Sequence, residues 1–320
     1  MKVKVYGVRG SIPVSNPGTV KYGGNTTSLL VESCCLPEKT WLALDTGSGF
    51  VPLSYDSLKA GINGMIILYT HYHFDHTIGM TLAPVAFIKS IRLSVFGPQE
   101  HGIGPLQMLQ DLFRSPYFPV DYNEIKSHIQ CFGIDLPNSN IIVIHPQGGF
   151  KCLTIDHIEC FDKECPIIYF DDGLSYNINE CLVVKMYRSN HPERTISFRF
   201  EERPTGKVFV LLTDHENQDG LPTRFLSHIE KSDLLIMDSQ YDRDRYEKTT
   251  AGYGHGTPDY CVKVGLRAGV KKLGLTHHDP IANDAKVDAI VDEAKRYLAE
   301  NRPDSDMEVF GCMDYQEIEL

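Results

Sequence analysis

His71, His73, Asp75 and His76 stand within six residues of one another, in the run His71-Tyr72-His73-Phe74-Asp75-His76. Neutral imidazoles with a carboxylate are a donor set for zinc, and also for manganese or iron. The apolar stretch Met65 to Tyr69 directly before them reads as a short buried strand. In an extended chain alternate side chains share a face, so His71, His73 and Asp75 are expected to project together. His76 joins them only where the chain turns. A chance cluster of surface histidines is the weaker account, because these follow a core strand and are interleaved with aromatic residues.

The elements that must carry this site follow a repeated theme, in which a buried strand ends and a histidine or aspartate stands just beyond it. Trp41–Leu44 ends at Asp45, Leu182–Tyr187 leads to His191, and Val208–Leu212 leads to Asp214. Leu234–Met237 ends at Asp238, and Lys272–Thr276 ends at His277. If these strands lie side by side in matched directions, their ends share one rim. His71, His73, Asp75, His76, His191, Asp214 and His277 are too many ligands for one tetrahedral zinc and suit two metals bridged by a carboxylate. Asp45 is expected to support a neighbouring loop, and Asp238 to orient a metal-bound histidine or to be structural. The Gly23-Gly24 turn reads as a tight connection. Helices are expected at Phe50–Lys59, over Thr77–Ser90 behind the metal loop, at Leu106–Phe113, at Thr223–Lys231, after Thr257-Pro258 and at Asp284–Glu300. His278 is expected in a supporting or surface position, and His215 stands in the same relation to Asp214.

The 320 residues suffice for one large domain, read here as 1–320 with an insertion of short strands and loops at about 98–180. His101, His128, His145 and His157 in that insertion read as structural or solvated, and Pro116, Pro119, Pro137 and Pro146 punctuate it. Nine cysteines without a repeating spacing, Cys160 and Cys165 among them, argue for reduced thiols and a cytoplasmic protein. No segment has the length of a membrane span. Thirty-one basic against forty-two acidic residues give a net charge of -11, which repels polyanions at long range. A nucleic-acid substrate is therefore not expected.

Asp45, the Thr70-to-His76 segment, His191, Asp214 and His277 occur in the order that marks the metallo-β-lactamase superfamily, and the chain resembles that superfamily over nearly its whole length. The resemblance implies an α/β fold, an αββα four-layer sandwich with a dinuclear site at one edge. Carried over by position, His71, His73 and His191 would hold one divalent ion, with zinc the first choice that the resemblance implies and manganese or iron the others. Asp75, His76 and His277 would hold the second, and Asp214 would bridge. An aspartate in place of cysteine at the bridging position resembles the branch of ribonuclease Z and small-molecule phosphodiesterases. Ala251 to Thr257 resembles that branch's added histidine, here His255. Val8 to Ser11 with Tyr22 to Thr26 resembles a bacterial subgroup of metal-dependent hydrolases. No ribonuclease Z exosite arm is recognised.

These resemblances imply a phosphodiesterase acting on a small phosphodiester, a 3′,5′-cyclic nucleotide first, through a hydroxide shared by two metals. His255 and Asp75 would serve catalysis. A ribonuclease of the ribonuclease Z type, a thioesterase or lactonase, and a metal-bound sensor or assembly protein are the alternatives. A homodimer is compatible with the sequence.

Overall fold

The computed structural model describes residues 1–135, 140–154 and 166–320. Pro137, His157, Cys160 and Cys165, singled out above, lie outside the described residues. Two sheets face each other. The first has the order β17-β1-β2-β3-β4-β5-β6, from β1 (Lys2–Gly7), β2 (Ser28–Glu32), β3 (Thr40–Leu44), β4 (Gly64–Leu68), β5 (Arg92–Pro98), β6 (Ile129–Ile134) and β17 (Glu317–Glu319). The second has the order β16-β15-β14-β13-β12-β11-β7-β8. Its strands are β7 (Asn140–His145), β8 (Gly149–Thr154), β11 (Leu182–Arg188), β12 (Ile196–Glu202), β13 (Lys207–Leu212), β14 (Leu234–Asp238), β15 (Lys272–Thr276) and β16 (Glu308–Gly311). A hairpin of β9 (Ile167–Tyr169) and β10 (Ser175–Asn177) stands apart.

Side-chain alternation builds the layers. Leu42, Leu44, Ile66 and Leu68 of the first sheet meet Phe198, Phe200, Phe209 and Leu211 of the second in one inter-sheet core. The intervening Ala43, Ile67 and Val95 face outward onto α1 (Phe50–Lys59) and α3 (Pro105–Leu112). Val210, Leu212, Leu235, Met237 and Leu275 face α4 (Thr223–Ile229), α5 (Pro258–Ala268) and α6 (Asp284–Asn301). Both faces of each sheet are covered, which is why its strands read as continuous apolar runs. The result is the four-layer αββα sandwich.

Strands β3, β4, β5 and β6 pair in parallel, as do β13, β14, β15 and β16. Their carboxyl ends therefore open on one edge, the place where ligands bind in such sheets. The segment read as an insertion contributes β6 to the first sheet, β7 and β8 to the second, and the β9–β10 hairpin.

One helix expectation is corrected. Over Thr77–Ser90 the chain makes two 3₁₀ turns, Ile78–Leu82 and Pro84–Ala86, after a single helical turn, α2 (Phe74–Thr77). Thr46 N–H donates to the His76 carbonyl at 2.7 Å and the Thr46 carbonyl accepts from Gly79 N at 2.8 Å, so the backbone needed to extend a helix is tied to another loop. Pro84 then holds Ala83 extended. Thr257 does stand at the start of α5, but its hydroxyl donates to Asp259 at 2.7 Å and accepts from no helix amide. Among the described residues no helix is long and apolar enough to cross a membrane. The seven described cysteines are all free.

Candidate metal centre

The site is built from turns at strand ends. Ser11, Asp45, Asp214 and His277 all have left-handed backbone (φ 63°, 52°, 51° and 60°). Non-glycine residues take that conformation rarely, and tight surroundings must hold them there. Each lies one to four residues past a strand and turns the chain sharply, which aims its side chain or amide across the rim.

Two main ligand groups result, and Asp214, His255 and His277 form a third that overlaps them. His71, His73, His191 and Asp214 have donor atoms all within 4.8 Å of one another, and so do Asp75, His76 and His277. The expected common face of His71, His73 and Asp75 is corrected: α2 begins after His73, so the helical turn carries Asp75 and His76 to the second group. Asp214 joins the two. Its Oδ2 lies 3.6 Å from His71 Nε2 and 3.8 Å from His191 Nε2, and its Oδ1 lies 3.2 Å from His76 Nε2 and 3.4 Å from His277 Nε2.

Partners behind the ring fix the tautomers. A carboxylate or amide oxygen can only accept, so the Nδ1 beside it carries a proton and Nε2 faces the centre. His76 Nδ1–H donates to Asp45 Oδ2 at 2.8 Å, and Asp45 is itself held by the Thr70 amide at 2.7 Å and the Thr70 hydroxyl at 2.8 Å. His277 Nδ1–H donates to Gln240 Oε1 at 3.2 Å, and His191 Nδ1 meets the Thr195 hydroxyl at 3.0 Å. The Ser11 amide donates to Asp75 Oδ2 at 2.6 Å. His73 is half exposed, with Nε2 3.2 Å from Glu193. Sequence reasoning missed Ser11, Thr195 and Glu193, because a backbone donor or a lone side chain at a loop carries no pattern.

The electrostatics fit cations. Burial pulls His71 well below the usual histidine range, and His76 next to it adds to this. At His76 burial acts in the same direction, yet Asp75, Asp214 and Asp45 together hold its pKa well above that range. His277 is also buried, and Asp214, Asp238 and Asp75 raise it to about 9. Asp214 is held well below the ordinary carboxylate range against its burial, chiefly by His277, His76 and His71. The carboxylates therefore draw positive charge into a buried centre. His71 Nε2 is buried there without a hydrogen-bond partner, as a ligand nitrogen aimed at an ion would be. The donor set fits divalent metal ions.

Asp238 faces two histidines. Its Oδ2 accepts from His255 Nδ1–H at 2.8 Å and is 3.9 Å from His277 Nδ1. The His255 ring stacks on His277 with centroids 4.9 Å apart. Gly254, at φ +95°, brings the loop against His191, where a Cβ would come within 2.2 Å of that ring. His278 is buried, not at the surface, and Nε2–H donates to the Cys312 carbonyl at 3.0 Å. His215 is buried between Ser189 and Tyr260, and burial lowers its pKa to about 3. In the Gly-rich turn the Gly24 and Asn25 amides are both taken by Asp314 at 3.0 Å, which leaves that turn as a connection.

No protein-family model matches the chain. Ribonuclease Z of Clostridium tetani is 26% identical over 264 residues, covering 76% of this chain and 80% of that protein. Ribonuclease Z of Clostridium acetobutylicum is 22% identical over 302 residues, covering 89% and 90%. Among solved structures, the metallo-β-lactamase fold protein YhfI of Bacillus subtilis superposes with a TM-score of 0.61 at 18% identity, over 99% of this chain and 98% of its own. Human tRNase Z, short form, gives 0.58 at 19% identity, over 100% and 99%. A diphosphatase of the PhnP family gives 0.59 at 15% identity, over 100% and 97%. The chain has the metallo-β-lactamase fold, and its sequence is similar, at 22–26% identity, to ribonucleases Z.

Proposed function

We propose that this chain is a metal-dependent hydrolase of phosphodiesters, with small phosphodiesters such as cyclic nucleotides as its first substrate class. The observation that carries the reading is His255, backed by Asp238 and stacked on His277 beside the two ligand groups joined by Asp214. His71, His73 and His191 would hold one divalent ion and Asp75, His76 and His277 the other, with one oxygen of Asp214 for each. Two such ions, zinc or manganese, would acidify water as a nucleophile and offset the charge developing on phosphoryl oxygens.

The chain's own groups do the rest. Asp45 and Gln240 hold His76 and His277 with Nε2 toward the centre, so no ring has to reorient during turnover. Asp238 holds the Nδ1 proton of His255, which leaves Nε2 to carry or release a proton at the leaving oxygen or to bond a phosphoryl oxygen. The net charge of -11 favours a small substrate over a long polyanion.

RNA is the second reading, supported by relatives that are ribonucleases Z, which runs against the expectation of no nucleic-acid substrate drawn from net charge. Purified protein loaded with zinc or manganese is assayed on bis(p-nitrophenyl) phosphate, cyclic nucleotides and precursor tRNA side by side. Turnover of the first two supports the main reading. Cleavage of precursor tRNA alone supports the second, and intact bis(p-nitrophenyl) phosphate defeats the first.

A further inference from the structure

The loop that carries His255 has few attachments of its own. Gly252 and Tyr253 are exposed, and Gly252 and Gly254 both have positive φ (89° and 95°), so the backbone here is intrinsically free. What fixes it comes from the residues directly after Asp214. Glu216 Oε2 accepts from Gly254 N–H at 2.5 Å, and Oε1 accepts from Gly252 N–H at 3.1 Å and from the Tyr246 hydroxyl. Asn217 holds the other side: Oδ1 accepts from Thr257 N–H at 3.2 Å, and Nδ2 donates to the Thr257 hydroxyl at 3.0 Å. The clamp is itself anchored to the His191 loop, because Glu216 N–H donates to the Asn190 carbonyl at 2.7 Å and Asn190 Nδ2 donates to the Glu216 carbonyl at 3.2 Å.

We infer that Glu216 is the positioning residue for His255: its carboxylate straps the 252–254 turn to the segment that carries Asp214, and so sets the distance between the histidine and the metal centre. A carboxylate is needed because both of its oxygens must accept from separate backbone amides. A glutamine offers one accepting oxygen and presents an N–H to the other amide, where donor meets donor. Asp238 sets the tautomer of His255, whereas Glu216 sets where the ring stands.

The inference rests on the proposed role of His255, and the experiment separates the two. Wild type, Glu216→Ala, Glu216→Gln, His255→Ala and the double variant Glu216→Ala/His255→Ala are loaded with zinc. Three measurements are made on each: bound zinc per chain, amide hydrogen exchange of residues 252–256, and turnover of bis(p-nitrophenyl) phosphate. Glu216→Ala is expected to retain its zinc, to exchange the 252–256 amides at least about tenfold faster, a loss of about 1.4 kcal/mol of local protection, and to lose kcat with little change in KM. Glu216→Gln is expected to fall between it and wild type. The double variant should be no slower than His255→Ala alone, since two residues acting as one unit are not additive. Unchanged exchange in Glu216→Ala, or multiplicative losses in the double variant, overturns the inference. If His255→Ala keeps full turnover, the catalytic reading of His255 fails, and the exchange data still decide whether Glu216 positions it.

Discussion

His255 Nδ1 lies 2.8 Å from Oδ2 of Asp238, a carboxylate that is fully buried at the end of β14. A buried carboxylate facing one ring nitrogen settles which nitrogen bears the proton and so which one faces the substrate. Asp238→Asn keeps the shape but can turn an N–H toward the ring and favour the opposite tautomer. Turnover is expected to fall on the order of a hundredfold, with bound zinc per chain unchanged. Activity within twofold of wild type would remove Asp238 from any part in orienting the histidine.

The contact between these two residues also shows where sequence reading stops. The run from His71 to His76 announces itself because ligand types crowd into one short stretch after a core strand. Asp214 and His277 are legible for the same reason, each just past an apolar strand. The pairing of Asp238 with His255 spans 17 positions and depends on the loop returning over the end of β14, which no local pattern encodes. The helical turn that separates His73 from Asp75 was hidden because the ligand spacing also fits an extended chain. Residues Thr77–Ser90 read as a helix on apolar content, while Thr46 in a distant loop takes the backbone groups that a helix requires. Ile141 to Ile144 in β7 is buried from both sides and shows no period, so the region around it looked irregular.

Asp214 faces both ligand groups, and its removal should therefore differ in kind from removal of a ligand to one group. His71→Ala is expected to lose about one of two ions per chain and Asp214→Ala to retain less than one, read by elemental analysis after dialysis at fixed free zinc. Chelation of wild type should lower the thermal midpoint, because ions that bind only the folded chain stabilise it by mass action. Equal zinc content in the two variants would speak against a shared carboxylate.

Arg9 is fully buried, with Nε donating to the Gly23 carbonyl at 2.8 Å and Nη1 to the carbonyls of Asp279 at 3.1 Å and Ala282 at 2.7 Å. It ties the loop after β1 to the segment after His277, and Gly10 next to it packs so close to the His277 ring that a Cβ would come within 2.4 Å. Arg9→Met leaves those carbonyls without donors and should lower the unfolding free energy by about 3 kcal/mol, measured by urea denaturation. The damage should fall first on the group of Asp75, His76 and His277, so partial loss of zinc is expected to precede unfolding. Stability within 0.5 kcal/mol of wild type, as for an ordinary surface change, would show that the guanidinium is not the tie.

Asp314 receives the Gly24 and Asn25 amides and is mostly buried, and burial raises its carboxyl from the ordinary 3.8 to about 6 against the pull of those amides and of Arg9. Between these two values the folded protein holds a proton that the unfolded chain has released, so this group's contribution is fully present below about pH 4 and is lost as pH rises through about 6. The displacement corresponds to about 3 kcal/mol. Asp314→Asn keeps an oxygen for the amides and does not titrate. The difference in unfolding free energy, variant minus wild type, should accordingly grow by up to about 3 kcal/mol between pH 4 and pH 7. Parallel urea titrations at half-unit pH intervals measure it, and a difference that stays flat across that window would contradict the raised carboxyl. The rise is expected in this variant and not in one of the exposed Asp304, whose pKa is held below the ordinary value by Arg302, so that removing it cannot reproduce the effect.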